Sequence, residues 1–311
     1  MLSVVVPVRN EQPALDRLAD ELGSVLDAYD ESEIVFVDDG SSDDSFATLA
    51  RLHAEHANVR VVRLRRNFGK AAALAAGFEQ ARGDVVVTLD ADLQDDPAEI
   101  PRLLAKLDEG FDVVCGWKTQ RRDPFMRRIS SRIFNAVASR LAGVRLHDMN
   151  CGLKAFRQDA VRDLVLYGEL HRFIPVLAHF DGYRVAELPV RHRPRPHGRS
   201  RYGPERYLRA FLDLLTVSFM GRYRYRPLHL FGTLGLVLGT IGFCVLVYLT
   251  VLKLGGQAIG HRPLLTLGVL LVVVGLQFFS LGLVSELITS HHEQRERRGA
   301  RTDAQVDELL T

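Results

Sequence analysis

Cysteine is scarce in this chain of 311 residues. Only Cys115, Cys151 and Cys244 occur, too few and too far apart for a thiolate metal site or a disulfide framework, and they suit a reducing compartment. An excess of one charge is missing too. Forty Lys and Arg stand against 38 Asp and Glu, a net of +2, and the basic residues form no long stripe, so nucleic acid is not an expected partner. The most informative absence is local. No Asp, Glu, Lys or Arg occurs in 228–252 or 263–285, and a helix of either length reaches across a hydrocarbon core of about 30 Å. Two transmembrane helices are predicted. The mean hydropathy of +0.01 is then a polar domain and an apolar hairpin cancelling.

The arginines gather beside these segments. Arg222, Arg224 and Arg226 precede the first, and Arg295, Arg297, Arg298 and Arg301 follow the second, while the loop between holds only Lys253 and Arg262. Positive residues stay on the cytoplasmic side, so both termini are expected there. The apolar start at 2–6 is short for a signal-peptide core and lacks a basic leader, so the polar domain is expected to remain in the cytoplasm.

Short apolar runs at 3–6, 33–37, 59–64, 85–89 and 112–115 read as strands buried on both faces. Between the first two, Leu15, Leu18, Leu22, Val25, Leu26 and Tyr29 share one helical face. Further helices are predicted at 43–55, 69–81 and 97–109. Repeated strand–helix units imply an α/β domain with a mainly parallel sheet. Beyond Arg121 we expect a helix at 124–141, strands at 153–156 and 184–190, and a basic Pro/Gly-rich loop at 191–203. Helical periodicity returns at 204–220, either lying in the membrane interface or packed on the domain.

Ligands of such sheets sit beyond the carboxyl ends of the strands, and four of those ends are polar: Pro7-Val8-Arg9-Asn10-Glu11, Asp38-Asp39-Gly40-Ser41-Ser42, Arg65-Arg66-Asn67-Phe68-Gly69 and Asp90-Ala91-Asp92-Leu93-Gln94. Carboxylates at i and i+2 leaving a strand point to one side, so Asp90 and Asp92 can converge on a hard divalent cation, with Gln94 and phosphate oxygens completing the shell. A lone Asp-X-Asp is more often a solvated turn. Its place in line with three other polar strand ends favours the metal.

The stretches VVVPVRNE, VDDGSSDDS, RLRRNFGKAAALAAGF, GDVVVTLDADLQDDP, DMNCGLKAFR and GRSRYG, followed by two spans, resemble the inverting family 2 glycosyltransferases of the GT-A fold. The resemblance is greatest to the polyprenyl-phosphate glycosyltransferases, and it covers nearly the whole chain. It implies inverting transfer of a hexose from a nucleotide-sugar donor, UDP-glucose or similar, to polyprenyl phosphate at the cytoplasmic membrane face. By the same resemblance Pro7, Arg9, Glu11, Asp39 and Asp90 bind the donor nucleotide, and Asp90, Asp92 and Gln94 hold Mg²⁺ or Mn²⁺. Glu11 and Asp39 have an alternative reading as charges at helix N-termini.

Lys118, Arg127, Ser131 and Arg201 are implied at the acceptor phosphate. Arg127, with Arg128 and Arg132, equally reads as a solvated or lipid-facing helix surface. Asp92 and Asp148 are the implied catalytic carboxylates, with Asp148 a base or a positioning residue, because a phosphate oxygen is already an anionic nucleophile at neutral pH. His171-Arg172-Phe173 also matches the family pattern, and His171 equally reads as a structural histidine. Gly235 and Gly239, and Gly268, Gly275 and Gly282, have spacings that let helices approach closely, within the hairpin or between protomers of a homo-oligomer.

The expected organisation is a GT-A domain at 1–203, a juxtamembrane segment at 204–227, spans at 228–252 and 263–287 within 228–290, and a cytoplasmic tail at 291–311. Two other readings compete. A processive polysaccharide synthase normally carries a Gln-X-X-Arg-Trp motif, absent from this sequence, whose one tryptophan is Trp117. A catalytically inactive membrane scaffold is disfavoured by the intact Asp39, Asp90, Asp92 and Gln94.

Overall fold

The computed structural model describes residues 1–118, 143, 146–193, 212–217, 219, 221, 223, 226–259 and 263–309, with side chains up to 289. The expected helix at 124–141 and most of the basic loop lie outside the described residues. The chain divides into two units, Met1–Ser218 and Phe219–Thr311.

In the first unit the valine-rich runs become strands because each has helices on both sides. β1 (Leu2–Val8) sends Val4, Val6 and Val8 into one core and Val5 into the other. β2 (Ser32–Asp38) divides Ile34 and Phe36 from Val35 and Val37 in the same way. The first core receives Leu15, Leu18, Leu22 and Leu26 of α1 (Gln12–Leu26), Leu49 and Leu52 of α2 (Ser45–Glu55), and Ile100, Leu103 and Leu107 of α4 (Ile100–Asp108). The second is filled by Ala73 and Leu74 of α3 (Lys70–Gln80), Ala160 and Val161 of α5 (Gln158–Arg162), and Ile174 and Ala178 of α6 (Ile174–Phe180). Each such Val or Leu stabilises the fold by about 1.5–3 kcal/mol relative to exposure.

With β3 (Val59–Arg63), β4 (Val85–Thr88), β5 (Val113–Lys118), β6 (Lys154–Arg157) and β7 (Val185–Val190) the sheet has the order β3-β2-β1-β4-β6-β5-β7. The pairs β2–β3, β1–β2, β1–β4 and β5–β7 are parallel. The sheet is therefore mainly parallel, as predicted. Strand order reverses between β2 and β4 on either side of β1, which places a crevice at the carboxyl ends of β1 and β4. β6 is antiparallel to both β4 and β5, with Thr88 opposite Lys154. Its amino end consequently lies at the carboxyl end of β4, so residues 150–154 join the same rim. The helix predicted at 97–109 begins as a 3₁₀ turn over Pro97–Glu99, where the Asp96 side chain accepts from the Ala98 amide.

The second unit is a helical hairpin of α7 (Pro227–Leu254) and α8 (Pro263–Leu309). Pro227–Leu254 and Pro263–Thr289 are long and apolar enough to span a membrane. Its glycines are used inside the hairpin. A Cβ on Gly235 would lie 2.5 Å from the Gly275 carbonyl oxygen, and one on Gly242 would lie 2.7 Å from that of Gly268. Glu286 accepts the Leu228 amide at 3.1 Å, satisfying one of the four free N–H groups of a helix start.

Candidate functional site

The first two strand-end loops are locked to each other. Asn10, at φ 53°, accepts the Ser42 amide through Oδ1 at 2.8 Å and donates its own amide to Ser41 Oγ at 3.0 Å. Gly40 has φ +64°, and a Cβ there would fall 2.5 Å from the Arg66 carbonyl carbon, so the loops after β2 and β3 touch backbone to backbone. Asp39, 4% exposed, accepts the amides of Phe68 at 2.7 Å and Gly69 at 3.0 Å. Its carboxylate thus binds the entry to α3 and not the helix that follows it in sequence. Pro7 is half-buried opposite Val37, Arg9 is exposed, and Glu11 gives its amide to Ser45 Oγ while its side chain does not cap α1.

Beyond β4, Asp90 is half-buried and ion-paired with Lys70, the first residue of α3. An ammonium is unfavourable at a helix N-terminus, and the carboxylate compensates it. Gly152 lies directly against Asp90: a Cβ there would sit 2.5 Å from the carboxyl carbon. Thr88 Oγ1 donates to the Gly152 carbonyl at 2.8 Å and fixes this approach. Asp92 Oδ1 accepts the Gln94 amide at 3.2 Å across Leu93, at φ 60°, a local turn that shapes the loop.

The next residues join this loop to other strands. Asp95, 1% exposed, lies 3.4 Å from Lys118 Nζ at the end of β5 and 3.5 Å from His192 Nδ1. Burial opposes its ionisation, but His192 and the charges of Lys118 and Lys70 outweigh it and hold the carboxyl well below the usual range. Lys118 is held above the usual lysine range: burial opposes the charge, and Asp95, Asp90 and Asp148 favour it. Arg193 donates its amide to the Gln94 carbonyl at 2.8 Å and its guanidinium to Glu21 at 2.6 Å and Asp96 at 2.8 Å. Asp148, 1% exposed, accepts the Asn150 amide at 3.1 Å. Its own amide and that of His147 are held by Glu187 of β7 at 3.0 and 2.7 Å.

Behind Asp90 is a cavity of about 40 Å³ walled by Lys70, Asp90, Gly152, Lys154, His171 and Arg172 among others. Burial, with the charges of Lys70, Arg172 and Lys154, pushes His171 down to about 2, so the ring is neutral. Burial pushes the thiols of Cys115 and Cys151 up to about 12, which removes them as nucleophiles at neutral pH.

The family model described as glycosyl transferase family 2 matches residues 3–165, and one described as the GtrB C-terminal hairpin matches 226–291. The chain belongs to glycosyl transferase family 2. Within curated proteins this family 2 chain is 40% identical over 294 residues to the dodecaprenyl-phosphate galacturonate synthase of Rhizobium johnstonii, covering 92% of this chain and 87% of that one. It is 39% identical over 290 residues to the undecaprenyl-phosphate 4-deoxy-4-formamido-L-arabinose transferase of Edwardsiella ictaluri, covering 92% and 88%. Among solved structures it resembles the glucosyl-3-phosphoglycerate synthase of Mycobacterium tuberculosis in complex with Mn²⁺, UDP-glucose and glycerol 3-phosphate. The TM-score is 0.52 at 22% identity, over 71% of this chain and 79% of that one. That likeness bears on the GT-A fold.

Of the sequence-derived residues, the structure brings Asp90, Asp92, Lys118 and Asp148 to neighbouring strand ends, with Asp39 on the adjoining loop. Arg127, Ser131 and Arg201 lie outside the described residues. Among the described residues no group of three or more His, Cys, Asp and Glu could hold a metal ion. Asp90 and Asp92 are two carboxylates, so a divalent cation held by them would need further oxygens, from Gln94 and a substrate, to fill its shell. Sequence reasoning passed over Lys70, Gly152 and Lys154. The signal for Lys154 was present, since a lysine inside an apolar strand is seldom buried unless it is paired.

Proposed function

We propose that this family 2 enzyme transfers a sugar from a nucleotide-sugar to the phosphate of a polyprenyl phosphate. The carrying observation is that both relatives named for prenyl-phosphate transfer align with 92% of the chain, catalytic domain and hairpin together. The donor nucleoside is assigned to Pro7, Arg9, Glu11, Asp39 and Asp90, and glucose or a related hexose on UDP is the donor proposed from the sequence. Lys118, with Arg127, Ser131 and Arg201, is assigned to the acceptor phosphate, where cations match its charge.

An acceptor phosphate oxygen attacks the anomeric carbon as the bond from that carbon to the donor diphosphate breaks. One displacement inverts the carbon, and in-line alignment is the main requirement. Asp90, Asp92 and Gln94 would hold a divalent ion, Mg²⁺ or Mn²⁺, which would neutralise the charge that grows on the departing diphosphate. Asp148, held through backbone amides by Glu187, positions the reacting groups.

The test is to incubate the purified full chain with undecaprenyl phosphate, a divalent cation and labelled nucleotide-linked glucose, galacturonate and 4-formamido-arabinose, and to look for label in the lipid phase. Label in the lipid phase from one donor supports the reading, and none from any donor rejects it. We further propose that the hairpin crosses the cytoplasmic membrane with both termini inside. A cysteine replacing Gly256, in a chain whose Cys244 is serine, is expected to react with an impermeant maleimide only from the outer face, and inner-face labelling sinks this topology.

A further inference from the structure

The cavity behind Asp90 holds a charge that the donor and acceptor assignments leave unexplained. Lys154 is 4% exposed, and its ammonium bonds to the neutral Cys151 carbonyl. The other two cations in the wall are matched, Lys70 by Asp90 and Arg172 by Glu169 at 2.7 Å. Among the described residues no carboxylate forms an ion pair with Lys154. His171 Nδ1, also in the wall, has no hydrogen-bond partner among the described residues. A buried ammonium that bonds to a carbonyl and is in ion-pair contact with no carboxylate is costly, because its lost hydration is only partly offset. A ligand that brings negative charge would remove that cost. At about 40 Å³, the space is roughly three times what one water needs, enough for the oxygens of an anionic group.

We propose that this cavity is an oxyanion subsite of the donor, in which Lys154 meets a negatively charged group of the bound nucleotide-sugar and His171 bonds to that group or to a neighbouring sugar hydroxyl. This rests on the donor assignment of Asp90 made above. Two parts of a donor carry the chemistry: the diphosphate, and a carboxylate on the sugar.

The experiment titrates the full chain in detergent, with Mg²⁺, against UDP, UDP-glucose and UDP-glucuronate and their GDP counterparts by calorimetry. The variants are Lys154→Gln, which keeps a donor for the Cys151 carbonyl but no charge, and Lys154→Arg, which keeps the charge. Folding is checked by the fluorescence of Trp117. Lys154→Gln is expected to weaken binding about tenfold or more, the scale of one charge-assisted hydrogen bond, while Lys154→Arg stays within about threefold.

Equal weakening of the nucleotide and both sugars identifies the diphosphate as the group in the cavity. Weakening of the glucuronate donor alone identifies a sugar carboxylate. Unchanged affinities in Lys154→Gln overturn the proposal, and if that variant's parent still transfers sugar, the transferase reading stands without it. Equal loss in the arginine variant, or failure of both variants to fold, makes Lys154 a packing element and likewise overturns the proposal. A wild-type chain that binds no donor rejects the donor assignment and the subsite with it.

Discussion

The two units use missing side chains for opposite purposes. In the hairpin, Gly235, Gly242 and Gly275 are bare so that one apolar helix backbone can meet another. In the sheet domain, Gly152 is bare so that a carboxylate, Asp90, can occupy the place of its Cβ. The domain also buries Glu33, Asp39, Asp95, Glu99, Asp148 and Lys154, whereas the apolar stretches of the hairpin contain no charged residue. Buried charge is expensive and is retained where it is paired or used, so the chemistry belongs to the unit that tolerates it. The hairpin's contribution is apolar surface and close packing.

The sharpest test of this division is at the rim. Asp92→Asn is expected to lower kcat/KM on the order of a hundredfold, the scale set by losing one stabiliser of developing charge, while the Trp117 fluorescence and unfolding midpoint of the domain stay put. Near-normal turnover would remove Asp92 from the chemistry. Gly152→Val comes next. Its Cβ would need the space of the Asp90 carboxyl carbon, so donor binding is expected to fall about tenfold, with about 1–3 kcal/mol of destabilisation from overpacking. Wild-type donor affinity in this variant would mean that Asp90 can move without consequence.

The matching substitution in the hairpin is Gly275→Leu, whose Cβ would meet the Gly235 carbonyl at 2.6 Å. Helix packing there is expected to weaken by a similar 1–3 kcal/mol, read as loss of a disulfide trapped between cysteines engineered at facing positions of α7 and α8, with donor binding unchanged. If donor affinity falls as well, the two units are not separable in the way described.

The smallest expected effect concerns His171. Its folded value is depressed to about 2 from an ordinary 6.5, so below about pH 6.5 the unfolded chain binds a proton that the folded chain does not. Stability should therefore rise with pH and be lost as pH falls below 6.5, by at most about 1.4 kcal/mol per unit. Urea midpoints from Trp117 fluorescence between pH 6.5 and 5 should show this slope in the wild type and a shallower one in His171→Asn. Identical slopes would mean that His171 is not held neutral by burial.

Much of this was legible in order of residues. Five strands and their helices came from apolar runs and periodicity, because a strand covered on both faces needs an unbroken apolar run. The hairpin came from the absence of charge, which no hydrocarbon core forgives. The polar strand ends located the rim, because parallel strands all present their carboxyl ends to one edge. Less legible were the groups that act through distant neighbours. Asp39 read as a ligand contact or a cap for the helix after it, and what the order of residues did not show is that its carboxylate also accepts the amides of Phe68 and Gly69, at the entry to α3. Lys70 sat unnoticed among alanines until α3 aimed it at Asp90.

The sequence by itself determined what each segment must do with water: which runs are buried, which stretches suit a membrane, and which strand ends stay polar. Those are local consequences of side-chain chemistry and period. Only the tertiary structure decided which polar groups meet. That choice depends on β6 entering antiparallel between β4 and β5, which brings Gly152 against Asp90 and buries Lys154 with no ion-pair partner among the described residues. Strand order is a long-range property of the packed sheet, and no local pattern around residues 150–154 encodes it.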